Sequence, residues 1–103
     1  MGKVLSINLD ERTASYILRI AQTNVLTPSE VVRRRIYEFF NLPREHSPGY
    51  LPRYHYAVKD RYVIRVYLRD DVYEMVENYV KENKMSLAEF IRNLFAVEVI
   101  ERA

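Results

Sequence analysis

Few residues of this 103-residue chain could make or break a covalent bond. There is no cysteine, so a disulfide scaffold, a thiolate zinc site, an iron–sulfur cluster and a Cys nucleophile are excluded. The two histidines, His46 and His55, stand nine apart in a Pro-rich stretch, the setting of ordinary loop imidazoles rather than a metal pair. No nucleophile–base–orienter set and no glycine-rich phosphate loop can be assembled. Neither an enzyme nor a bound cofactor is expected. What the chain offers is hydrogen-bonding chemistry. Ser6 and Asn8, and again Arg65 and Tyr67, stand at alternate positions, with Val4 and Val63 beside them. A guanidinium is a planar fork of donors, a carboxamide pairs a donor with an acceptor, and a hydroxyl serves as either. Thr27, Ser29 and Ser86 place further hydroxyls beside helix-starting sequences. Arg33-Arg34-Arg35 is a dense run of positive charge, but on a helix neighbours lie about 100° apart and cannot all face one partner. A solvated or ion-paired helix face is the plainer reading of that run.

The elements that must position these groups come in two copies. Residues 59 apart match: Val4 with Val63, Leu9 with Leu68, Asn24 with Asn83, Glu30 with Glu89 and Arg33 with Arg92. Each copy opens with a short alternating stretch. Leu5, Ile7 and Leu9 alternate with Val4, Ser6 and Asn8; Ile64, Val66 and Leu68 alternate with Val63, Arg65 and Tyr67. Period two predicts half-buried strands, each too short to be stable without a partner. Asp10 is placed to cap a first helix, and Asp70 or Asp71 its counterpart. Ala14, Ile17, Ile20 and Ala21 form one apolar stripe; Val72, Met75, Val76, Tyr79 and Val80 form the other. Asn24 and Asn83 stand near the helix ends, where Asn tolerates the left-handed conformation.

Thr27-Pro28-Ser29-Glu30 is a capping box with proline at the first helical position, and Ser86-Leu87-Ala88-Glu89 repeats the box. Leu26 with Val31, and Met85 with Phe90, are hydrophobic-staple pairs around these starts. Glu30 and Glu89 are thus capping carboxylates, not catalytic ones. Val32, Ile36, Phe39 and Phe40 continue one helix; Ile91, Leu94, Phe95 and Ile100 continue the other. Each copy reads strand–helix–helix, at about residues 4–41 and 63–101. Residues 42–61 between them hold three of the four prolines and one of the two glycines, and read as a connector. Tyr54, Tyr56 and Val58 alternate within it, so a short extra strand fits there.

A short alternating strand followed by two helices, the second opened by a capping box, resembles the ribbon-helix-helix family of DNA-binding proteins. Leu5-Ser6-Ile7-Asn8-Leu9-Asp10 and Thr27-Pro28-Ser29-Glu30-Val31-Val32-Arg33 carry the match in one copy. Ile64-Arg65-Val66-Tyr67-Leu68 and Ser86-Leu87-Ala88-Glu89-Phe90-Ile91-Arg92 carry it in the other. Where many members have a glycine between the helices, this chain has Asn24-Val25 and Asn83-Lys84. The resemblance implies a mainly α fold with a short two-stranded antiparallel ribbon. The order is β-α-α-linker-β-α-α, a fused, pseudo-two-fold form of a dimer, like tandem regulators found among archaeal viruses. Residues 1–41 and 62–103 are then the two copies, forming one compact unit across the connector at 42–61.

The resemblance also implies a function: a sequence-specific regulator, most often a repressor, that inserts its ribbon into the major groove of double-stranded DNA. The outward ribbon face carries Val4, Ser6, Asn8, Val63, Arg65 and Tyr67 as candidate base contacts. Arg65 suits guanine O6 and N7, Asn8 suits adenine N6 and N7, and Val4 or Val63 suits a thymine methyl. A ribbon with two different strands implies an asymmetric half-site. Thr27, Ser29, Ser86 and Leu87, at the helix starts, are candidate phosphate contacts, since free N–H groups and the helix dipole bind anions there. Self-association is implied, side by side on DNA or by swapped strands.

Composition agrees with a globular protein, at 49% hydrophobic and 29% charged. The net charge of +2 is too small to coat nucleic acid by charge alone. No signal sequence, membrane span or small-molecule site is evident. A cytoplasmic location is expected, the host's cytoplasm for a viral protein. The competing reading is a protein-interaction module on the same fold. It would use the ribbon or the aromatic side chains at Tyr50, Tyr54, Tyr56 and Tyr62.

Overall fold

The computed structural model describes residues 2–43, 55–58 and 61–96. Seven elements follow in chain order. They are β1 (Gly2–Asp10), α1 (Glu11–Asn24), α2 (Pro28–Phe39), β2 (His55–Val58), β3 (Arg61–Arg69), α3 (Asp70–Glu82) and α4 (Leu87–Leu94). Strands β1 and β3 pair antiparallel over their whole lengths, from Gly2 opposite Arg69 to Asp10 opposite Arg61. The ribbon expected from the sequence is this pair. It has a companion: β2 pairs antiparallel with the start of β3, giving a three-stranded sheet in the order β1-β3-β2. The alternation at Tyr56 and Val58 is the trace of that strand.

One face of the ribbon is the floor of the core. Leu5, Ile7, Leu9, Ile64, Val66 and Leu68 are each no more than 5% exposed. Over them pack Ala14, Ile17 and Ala21 of α1, Val31, Val32 and Ile36 of α2, Val72 and Val76 of α3, and Phe90 and Ile91 of α4. Helix α2 packs against β3, the strand of the other segment, and α4 packs against β1 in the same way.

The N-cap half of each capping box is formed, but the glutamates do not close it: the Glu30 carboxylate is taken by Arg33 and Arg34, and the Glu89 carboxylate accepts from the Ser86 hydroxyl at 3.3 Å. Thr27 Oγ1 accepts from the Glu30 N–H and Ser86 Oγ from the Glu89 N–H, each at 3.1 Å. Leu26 and Met85, the outer members of the staples, are half-buried against the core. Asp10 caps α1, its carboxylate accepting from the Thr13 N–H at 3.2 Å. The counterpart differs from the sequence reading. The N-cap of α3 is Arg69, which makes no side-chain cap, and Asp71 instead accepts from the adjacent Val72 N–H. Residue 69 is the equivalent of residue 10, and an arginine there has no acceptor to offer.

The helix ends also correct the sequence. After α1 and α3 the left-handed positions are Val25 (φ 54°) and Lys84 (φ 51°), each one residue after the expected asparagine; after α2 it is Asn41 (φ 57°). The asparagines cap by side chain: Asn24 Nδ2 donates to the Ile20 carbonyl and Asn83 Nδ2 to the Tyr79 carbonyl. The next two residues then complete a Schellman-type closure, with Leu26 N–H bonded to the Ala21 carbonyl and Met85 N–H to the Val80 carbonyl. Ile100, read from the sequence as part of the last helix, lies outside the described residues.

Candidate nucleic-acid interface

The outward face of the ribbon is built from three cross-strand pairs: Val4 with Tyr67, Ser6 with Arg65, and Asn8 with Val63. Side chains in such pairs stand about 5 Å apart and act as one surface. Ser6, Asn8 and Arg65 are exposed and Tyr67 is half-buried. The two valines occupy equivalent positions but differ: Val4 is 44% exposed and Val63 only 9%. Val4 stands on the edge strand, whereas Val63 stands on the central strand with Asn8 on one side and Tyr56 on the other. The sequence placed Val63 among the open contacts; on the central strand it is nearly closed.

Tyr67 is held down by a glycine. A methyl group built on Gly2 would fall 2.5 Å from the Tyr67 ring and 2.5 Å from the Leu68 carbonyl oxygen. The ring therefore lies against the β1 backbone, and any side chain at residue 2 would displace it.

The helix starts are less uniform than the sequence suggests. Thr27 is half-buried, Ser86 is exposed, and Leu87 is half-buried. Ser29 is 2% exposed, and its hydroxyl donates to the backbone carbonyl of Arg65. That hydroxyl is spent inside the molecule, which corrects its place among the phosphate contacts. Its actual role is to tie the first turn of α2 to the middle of β3.

The arginine run is wholly engaged. Arg33 is 2% exposed, pairs with the Glu30 carboxylate, and stacks 5.4 Å from the Tyr37 ring centre. Arg34 reaches the same carboxylate at 3.0 Å. Arg35 donates to the Leu94 carbonyl at 2.8 Å and lies 4.5 Å from the Phe95 ring centre. Burial pushes the Glu30 carboxyl up, but hydrogen bonds from Arg33 and Arg34 and their charges outweigh it and hold the group below its ordinary value. For Asp10, burial likewise raises the carboxyl; its hydrogen bonds with Thr13 and the charge of Arg92 prevail, and the group is also lowered.

One feature had no sequence signal. Phe39, Phe40, Tyr79 and Phe90 meet edge-to-face or tilted at 5.0–6.2 Å between ring centres. Phe39, 45% exposed, and Tyr79 line an open cavity of about 320 Å³ with Arg35, Glu38 and Met85. These rings come from three helices, so no local motif brings them together. His46, Tyr50 and Tyr54, named from the sequence as connector residues, lie outside the described residues. Among the described residues, no three His, Asp or Glu side chains gather as a metal site, and no helix is long and apolar enough to cross a membrane.

No family model matches the chain, and no curated protein does. The fold is shared with a solved structure, that of AvtR, described as a novel transcriptional regulator from a hyperthermophilic archaeal lipothrixvirus. The superposition has a TM-score of 0.64, covers 89% of this chain and 98% of that one, and has 15% sequence identity. At that identity the two chains share an architecture, not a set of contact residues.

Proposed function

We propose that this chain is a sequence-specific double-stranded DNA-binding transcriptional regulator of the ribbon-helix-helix type, acting as a repressor, with the β1–β3 ribbon seated in the major groove. The observation that carries the reading is the ribbon itself. Its inner face is sealed by four helices, and its outer face offers Ser6, Asn8 and Arg65 to solvent in adjacent cross-strand pairs. A two-stranded ribbon fits the major groove, and these side chain types match base edges there. The shared architecture with AvtR, a transcriptional regulator, supports the same reading.

The tandem form rests on two contacts. Ser6 pairs with Arg65 in the sheet, and Arg35 bonds Leu94 between α2 and α4; both join residues 59 apart. An element meets its own equivalent only at a two-fold axis. An axis through both contacts makes the chain a fused pseudo-dimer. Thr27, Ser86 and Leu87, at the starts of α2 and α4, serve as phosphate contacts flanking the ribbon. With a net charge of +2, phosphate attraction is modest, so base readout and several molecules side by side supply the remaining affinity.

The double variant Arg65→Ala with Asn8→Ala tests this directly. Both side chains are exposed, so the protein stays folded by circular dichroism and melting. Selective DNA binding is lost while weak salt-sensitive binding remains. Unchanged selectivity in a folded double variant would sink the reading face.

A further inference from the structure

Resting on the DNA-binding reading, we infer that this protein recognises an operator with guanine on one strand only at its centre, and that Arg65, positioned by Ser29, reads it. Residues 59 apart are equivalent in the two strand–helix–helix segments, and the strand register places Ser6 opposite Arg65. This pair therefore occupies the ribbon's pseudo-axis. A ribbon made of two identical strands carries the same side chain twice at that point and reads the centre symmetrically. Here one guanidinium faces one hydroxyl, both exposed. The guanidinium's fork fits guanine O6 and N7 bidentately, whereas serine accommodates several bases.

The surroundings carry the same one-sidedness. Moving out from the axis, one side presents Asn8 beside the closed Val63, and the other presents Tyr67 beside the open Val4. The anchoring is one-sided too. The Ser29 hydroxyl donates to the Arg65 backbone carbonyl from the first turn of α2. At the equivalent position of the other segment stands Ala88, which has no hydroxyl to give. The arginine's strand is pinned at the axis and the serine's strand is not pinned by that bond. Ser29 is thus a positioning residue: it fixes the backbone from which Arg65 reaches, as a reading side chain requires.

The test uses the full chain and the duplex it selects from random sequence. Competition binding compares that duplex with three others changed only at the central base pair. Wild type prefers guanine there by about 5- to 150-fold, the range of one good bidentate contact. Arg65→Ser, which makes the central pair Ser–Ser, abolishes that preference while flanking preferences and melting temperature persist. Ser29→Ala lowers the central preference and leaves the flanks alone. Guanine preference surviving in Arg65→Ser overturns the inference and leaves the DNA-binding reading standing. A uniform loss across all duplexes, with a shallower salt dependence, also overturns it and makes Arg65 a phosphate contact. An unchanged central preference in Ser29→Ala overturns the positioning role. Failure of wild type to select any duplex overturns the DNA-binding reading itself.

Discussion

Val25 is a β-branched residue held at φ 54° with 91% of its surface exposed. That conformation costs about 1–3 kcal/mol for such a side chain, and no burial offsets it. Val25→Gly removes the strain, less the extra unfolded-state entropy of glycine. Stability should rise by about 1 kcal/mol, seen as a melting temperature several degrees higher. Lys84→Gly should gain less, because an unbranched side chain enters the left-handed region more easily. A fall in stability on Val25→Gly would contradict the turn geometry. The same residues show where the sequence misleads. Asn24 and Asn83 mark both helix ends correctly, but they cap by side chain and pass the left-handed conformation to the next residue. Ser29 and Val63 have the types of contact residues. Only the packing of α2 on β3, and the central place of β3 in the sheet, shows that one hydroxyl is spent and one valine nearly closed.

At the scale of elements, the repeated capping boxes and apolar stripes were legible because they are local. The fate of the arginines was not, because burial depends on what packs over a helix. Glu30 and Arg33, 9% and 2% exposed, form a pair inside the first turns of α2. Their equivalents Glu89 and Arg92 are both exposed. Removing one partner of a buried pair strands the other: Glu30→Ala should cost about 3–5 kcal/mol in denaturant unfolding. Replacing both, as Glu30→Leu with Arg33→Met, should restore most of the loss. The pair also sets an acid limit. The Glu30 carboxyl is lowered in the folded state from an ordinary value of 4.5. Its contribution is therefore present in full above pH 4.5 and is lost as pH falls through the lower folded value. Glu30→Gln should flatten the wild-type fall in stability over that acid range. An equally steep fall in the variant would place the acid sensitivity elsewhere.

At the scale of the whole molecule, the two segments make one core that neither can make alone. β1 has no strand partner within its own segment, and α2 covers the other segment's strand. Produced separately, residues 1–43 and 55–103 should each lack a cooperative melt, and mixing them in equal amounts should restore helical circular dichroism. A cooperative melt in residues 1–43 alone would contradict the shared core. The mainly helical fold with its antiparallel strand pair was legible at this scale because strand alternation, apolar stripes and helix caps are local signals that follow one another in order. The aromatic cluster of Phe39, Tyr79 and Phe90 was not, since its rings come from three helices. The central claim is that the open ribbon face reads DNA sequence. Its most direct test is selection from a random duplex library, with the enriched pool rebound across a salt series. A short asymmetric motif whose preference survives added salt is the predicted result. Weak binding that enriches no motif and vanishes with modest salt would contradict the claim, because charge alone would then account for all contact with DNA.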